Sequence, residues 1–350
     1  MSEEISRKKM VRQCLLFAVF FAAVFFFLLR GQNFNEVIRT IASAKMPLVV
    51  LGFLLASVFH FSEGWNIKRL LCAYGTPVSF LMGFKYALTG FFFSSVSPGA
   101  VAGQPMQLYV MNSDEVSLSH GSLALLIELA SFQTATFFFE ILAVIALPFT
   151  DIAMKPYMKL LLVIGFIMNL TYITLLLILI LSKKMGDKCL AFAFFVIDRL
   201  PRVSEDKKTS WKSKLNAGLA KFHNCAIMLK KKKGVVAKVM ATSLVQVLCW
   251  FSIPYIAYCA LGQSGVSYPR IFLLQVLIYM MTALLPLPGG MGISELAFVE
   301  LFSTIYSKDM ITAATLVSRG ISFYFLLFTS GILMLLISMH QMRRRRQKNE

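Results

Sequence analysis

The sequence predicts an all-α polytopic membrane protein with about six full spans and two re-entrant or hairpin segments, arranged as an inverted repeat. Three observations lead there. The chain is 57% hydrophobic and only 15% charged, with a mean hydropathy of +0.71, whereas soluble domains are nearer half apolar and a quarter charged. Its apolar residues form long uninterrupted runs that match the roughly 20 residues a spanning helix needs, not the alternating segments of a β-barrel. A proline- and glycine-rich stretch also occurs twice at one fixed offset.

The runs are 11–29, 47–62, 119–148, 157–181, 236–261 and 311–338. The first, VRQCLLFAVFFAAVFFFLL, has Arg7, Lys8 and Lys9 before it and Arg12 at its start, as a signal peptide would. Leu28, Leu29 and Arg30 stand at its end instead of a small-residue cleavage site, so it reads as a retained span. The six cysteines form no CxxC pair and read as small apolar residues in packed helices. Four scattered histidines and the absence of HExxH, P-loop or dinucleotide patterns predict no metal, no cofactor and no catalytic group.

Charge orients the spans. The tail 1–12, the loop 182–235 and the tail after Gln341 carry net charges of +2, +10 and +4, together +16 of the chain's +18. Basic loops stay cytoplasmic, which predicts N- and C-termini on the cytoplasmic side of a bacterial inner membrane. An even number of crossings must then separate the three basic segments. Regions 80–112 and 270–305 must each enter and leave on one side. The basic excess reads as a topology signal and a hold on anionic inner-leaflet lipids, not as a nucleic-acid site. Within the loop, Leu215, Leu219, Phe222, Ala226 and Leu229 recur at helical spacing among lysines. They predict an amphipathic helix on the inner leaflet, and 189–200 predicts a shorter interfacial piece.

The repeat follows from FSSVSPGAVAGQ (93–104) and LLPLPGGMGISE (284–295), whose Pro98 and Pro288 are 190 residues apart. The same offset carries 119–148 onto 309–338, giving repeat A at 47–148, the basic loop 182–235, and repeat B at 236–338 within one integral membrane domain of residues 1–350. Counted from a cytoplasmic N-terminus, the two halves are inverted. The first break opens to the cytoplasm and the second to the exterior. Pro98, Gly99, Gly103, Pro288, Gly289, Gly290 and Gly292 would break helices at depth. Such backbone survives in a bilayer only when buried in protein or lining a watery cavity, as in secondary transporters. A half-helix starting after the break aims its positive end inward, which suits a phosphate.

Ionisable residues inside spans call for a function. Glu128 and Arg319 are nearly repeat-equivalent, and the expectation is that they face one central cavity. There Arg319 would take a phosphate, and Glu128 or Glu295 an amine or proton. Ser97, Gln104 and Gln107 stand at the first break. Glu63 and Lys85 are expected at interfaces, and Glu300 near water. Arg319→Gln is expected to abolish transport while the protein stays folded at normal abundance.

These residues carry a resemblance. SSVSPGAVAGQPMQLYVM, LLIELASF, LPLPGGMGISELAFVELF and AATLVSRGISFYFLL are similar to the flippase-type membrane domain of lysylphosphatidylglycerol synthases, the multiple peptide resistance factor family, over about 11–338. The resemblance implies a lipid translocase fold with two inverted re-entrant elements. This chain has Glu128-Leu129 where the family often has Glu-Arg, and Gln104 or Gln107 where it often has an arginine. No soluble aminoacyl-transferase domain is present in the sequence, so the expectation is a transporter and not a synthase. The preferred function is a flippase-like transporter of a phosphate-bearing lipid, with or without an aminoacyl group. The alternative is a non-transporting accessory of a lipid-linked synthase or glycosyltransferase. Expected partners are a membrane phospholipid or lipid-linked substrate, with a second copy of the chain or a separate synthase left open.

Overall fold

The computed structural model describes residues 34–97, 101–152, 154–199, 205–283, 285, 290, 292–334 and 336. Among these the regular elements are helices, and no strand occurs. In chain order they are α1 (Phe34–Ala42), α2 (Met46–Ala73), α3 (Phe80–Val96), α4 (Gly103–Ser113), α5 (Leu118–Ala146), α6 (Pro156–Leu181), α7 (Lys183–Asp198), α8 (Glu205–Lys231), α9 (Lys233–Ala260), α10 (Tyr268–Thr282), α11 (Ile293–Phe302) and α12 (Lys308–Arg319). A π-helical turn, Gly320–Tyr324, follows α12.

Among the described residues five helices are long and apolar enough to cross a membrane: α2, α5, α6, α9, and the span Met310–Met334 that contains the π turn. They correspond to five of the six expected spans. The run 11–29 lies outside the described residues, as do Pro98, Gly99, Pro288 and Gly289. α3 and α10 have 17 and 15 residues, so at 1.5 Å per residue they measure about 25 and 22 Å, short of the roughly 30 Å hydrocarbon core. Each packs against the still shorter helix after it, α4 or α11.

The element order is duplicated. α9, α10, α11 and α12 begin 187, 188, 190 and 190 residues after α2, α3, α4 and α5. The lead helices of the two halves, α2 and α9, share an extensive contact stitched by polar groups. Asn66 Nδ2 donates to Ser243 Oγ at 3.2 Å, Arg69 Nη1 to Lys238 O at 2.8 Å and Thr242 Oγ1 at 3.0 Å, and Gln246 Nε2 to Phe59 O at 3.1 Å. Hydrogen bonds between membrane helices contribute about 0.6 kcal/mol each on average, so this clasp orients the pair more than it stabilises it.

α2 therefore extends past its apolar run, which ended at 62. Its last turns carry Glu63, Asn66 and Arg69, and these point at neighbouring helices instead of lipid. Small residues allow close crossings. A Cβ on Gly83 would come 2.3 Å from Gly64 O, and one on Gly165 of α6 would come 1.9 Å from Met280 O of α10. α6 turns a row of apolar side chains outward, including Leu160, Val163, Ile167 and Leu170, as a lipid-facing helix should. The basic loop forms α7 and α8. α8 lies against α5, where Ser119 Oγ donates to Gly218 O at 3.1 Å and Ala226 is buried. Leu215 remains exposed.

Candidate functional site

The second break builds the most heavily bonded carboxylate among the described residues. Gly290 and Gly292 both have positive φ, +65° and +86°, a region costly for side chains other than glycine. Gly292 caps α11, which places Glu295 at the third helical position. From there Glu295 Oε2 reaches back and accepts the Gly292 N–H at 2.7 Å. This is half of a capping box, since glycine has no side chain to answer with. The negative charge also sits against the positive end of the helix.

Glu295 is 1% exposed. Its Oε1 accepts from Arg319 Nε at 2.8 Å and from Tyr324 OH at 3.2 Å. The Ser294 hydroxyl lies 3.2 Å from Oε2 and 2.6 Å from Gly290 O. With one proton it favours the nearer carbonyl. The Arg319 guanidinium stacks 4.7 Å above the Phe323 ring. Arg319 ends α12, and the π turn behind it brings Phe323 and Tyr324 to the same side. Single π turns inside α-helices are frequent at functional sites. The result is a buried anion–cation pair at the mouth of a half-helix, with a phenol and an aromatic face around it.

The first break holds a different set. Ser97 Oγ accepts the Ala102 N–H at 3.2 Å and so braces the turn into α4. Gly103 permits close approach there, because a Cβ would lie 2.7 Å from Gly90 O. Gln107, one turn into α4 and buried, donates from Nε2 to Glu63 Oε1 at 3.0 Å and to Tyr86 O at 3.1 Å. Glu128, 7% exposed on α5, lies within electrostatic reach of Glu63. Gln104 is half-buried and makes no side-chain hydrogen bond among the described residues.

The halves are thus chemically unequal. The second pairs Glu295 with Arg319. The first gathers Glu63, Glu128 and the amide of Gln107. Among the described residues no hydrogen bond or ion pair joins Glu128 to Arg319, and Arg319 bonds Glu295. Glu63 is half-buried and accepts from Gln107. Lys85 pairs with Asp114 at 2.5 Å, both partly exposed, and Glu300 pairs with Lys155 at a wetter edge. Tyr324 was not foreseen, because an aromatic in an apolar run carries no periodic signal. The Glu295–Gly292 contact had one: a carboxylate three residues after the glycine that opens a helix. Among the described residues no group of three or more His, Cys, Asp and Glu could hold a metal ion.

Such an arrangement defines an all-helical membrane protein with several apolar spans and a buried ion pair at the start of a short helix. The sequence of residues 14–330 matches the family described as "Lysylphosphatidylglycerol synthase TM region", and the chain belongs to that family. Similar relatives include a UPF0104 membrane protein of Archaeoglobus fulgidus, 24% identical over 308 residues, covering 83% of this chain and 87% of the relative. A UPF0104 membrane protein of Pyrococcus horikoshii is 23% identical over 320 residues, covering 88% and 92%.

Proposed function

We propose that the protein is a flippase-like transporter that moves a phosphate-bearing lipid across the cytoplasmic membrane. The observation that carries this reading is the Glu295–Arg319 pair, held at the start of a short helix that opens after glycines of positive φ. A phosphate can replace the carboxylate as the partner of Arg319, since guanidinium suits both. Exchange of partners would release Glu295 from Arg319 and alter the geometry of the second hairpin. The acidic set around Glu63 and Glu128 then suits an ammonium, which fits a lipid bearing an amine or an aminoacyl group.

In this reading the duplicated order is an inverted repeat, the two hairpins are opposed gates, and the basic segments, with both termini, face the cytoplasm. The protein acts as a transporter and not as an enzyme. Any coupling energy comes from a gradient or a partner. The lysylphosphatidylglycerol synthase family name is compatible with an aminoacylated anionic lipid as cargo.

The test is reconstitution into liposomes carrying fluorescent lipids that differ only in headgroup, read by chemical quenching of the outer leaflet. The expected result is protein-dependent exposure of phosphate-bearing lipids. Arg319→Lys should stop it while the thermal midpoint stays near that of the native chain. Lysine keeps the charge beside Glu295 but loses the Nε–H donor and the planar stack on Phe323. Equal exposure in empty and protein-bearing vesicles refutes transport and favours a non-transporting accessory role.

A further inference from the structure

A cleft of about 470 Å³ lies between α5, α6, α8 and α9, away from the ion pair. Its size falls within the range of roughly 300–1,000 Å³ typical of ligand sites. Ile127, Ala130, Leu177, Ile180, Val236 and Met240 give it an apolar wall. Ser131 and Thr134 add two hydroxyls to the lining, and that of Thr134 donates to Ala130 O at 2.6 Å. The one charged side chain of the lining is Lys233. It is exposed, at the junction of the basic helix α8 with the span α9. From Lys233 to Met240 the cleft follows α9 for about 10 Å at 1.5 Å per residue.

We infer that this cleft is a binding site for an anionic glycerophospholipid of the surrounding bilayer, with one acyl chain between α5, α6 and α9 and its phosphate on Lys233. Three spanning helices form the wall, so the space is bathed by lipid, and apolar space there is filled by hydrocarbon instead of water. Ala226 of α8 closes one side. The lipid therefore ties the basic helix to the spans. Charge selects the headgroup: Lys233 lies in a loop with fourteen Lys and Arg against four acids, while Lys232 is held on Ala73 O at 2.8 Å. Basic pockets between membrane helices bind anionic headgroups, and each lysine near the surface contributes about 1 kcal/mol. This site is separate from the Glu295–Arg319 pair and holds whether or not the protein moves lipid.

The experiment is native mass spectrometry of the full chain in detergent, titrated with phosphatidylglycerol or phosphatidylcholine of identical chains. One retained phosphatidylglycerol is expected, favoured over phosphatidylcholine. Lys233→Ala should weaken it about fivefold, the equivalent of about 1 kcal/mol, while Lys188→Ala, elsewhere in the basic loop, should not. Ala237 lines the cleft and is exposed, so Ala237→Phe fills the space without disturbing the core and should reduce retention of both lipids. Arg319→Lys should leave retention unchanged. Equal binding of the two lipids, indifference to Lys233→Ala, or undiminished retention in Ala237→Phe each overturns the site. Loss of retention in Arg319→Lys places the lipid at the other site and overturns it as well.

Discussion

Arg319 Nε stands 2.8 Å from Glu295 Oε1, and the same carboxylate holds the Gly292 amide at 2.7 Å. One buried acid thus joins the end of α12 to the start of α11. Removing one member of a buried pair leaves the other uncompensated and costs about 3–5 kcal/mol, whereas removing both is far less damaging. Glu295→Gln and Arg319→Gln should each lower thermal stability in detergent markedly. The double variant should be more stable than the sum of the single losses. The idea that Arg319→Gln would silence transport at normal abundance therefore needs amending, because the lost charge strands Glu295. Additive losses in the cycle would show that the pair is not coupled.

Among the described glycines, a side chain is least tolerated against backbone where α6 crosses α10. A Cβ on Gly165 would meet Met280 O at 1.9 Å, and neither backbone can yield without moving a helix. Overpacking of this kind costs about 1–3 kcal/mol or more. Gly165→Ala should therefore lower the unfolding midpoint. Gly218→Ala, whose nearest atom is Ser119 Oγ at 3.6 Å, should leave the midpoint unchanged or raise it slightly, since alanine is the better helix former. Similar midpoints for the two variants would refute the close crossing.

The spans were legible because lipid demands unbroken apolar runs. Their ends were not. α2 runs on to Ala73 through Glu63, Asn66 and Arg69, whose polarity stopped the apolar run at 62 although each meets a partner on another helix. Arg319, Glu295 and Glu128 stand out in the sequence as charges in apolar surroundings. Their pairing was not legible, because partner choice depends on which face of α11 and α12 turns inward. An offset of 190 residues made Glu128 and Arg319 look like counterparts. The cap geometry at Gly292 instead gives Arg319 to Glu295, and Glu128 keeps company with Glu63.

His60 is buried, and neither ring nitrogen has a hydrogen-bond partner among the described residues. Its imidazole is edge-on to Phe91 at 4.6 Å and to Phe59 at 5.5 Å. Unsatisfied buried polar atoms cost about 1–3 kcal/mol, and an apolar side chain of similar shape escapes that cost. His60→Phe should thus be neutral or stabilising in thermal unfolding and should leave lipid exposure in liposomes intact. A large loss of stability would mean that the imidazole has a bonded partner.

Glu63 and Glu128 form the least compensated feature of the first half. Gln107 gives hydrogens from Nε2 to Glu63 Oε1 and to Tyr86 O, so this amide is already committed before Glu128 is considered. Two carboxylates within reach of each other repel when both are charged. Glu128→Gln removes one of them and should raise the thermal midpoint, opposite in sign to Arg319→Gln. Gln107→Leu deprives Glu63 of its donor and should cost about 1–3 kcal/mol. If this acidic set receives an ammonium, Glu128→Gln should also reduce the preference for an amine-bearing lipid over phosphatidylglycerol, by on the order of tenfold or about 1.4 kcal/mol. Competition between the two labelled lipids in the liposome assay reads this directly. Retained preference in a more stable Glu128→Gln variant would remove the ammonium role and leave the acid pair as a structural defect. A destabilised variant would show that Glu128 is a needed partner in the fold.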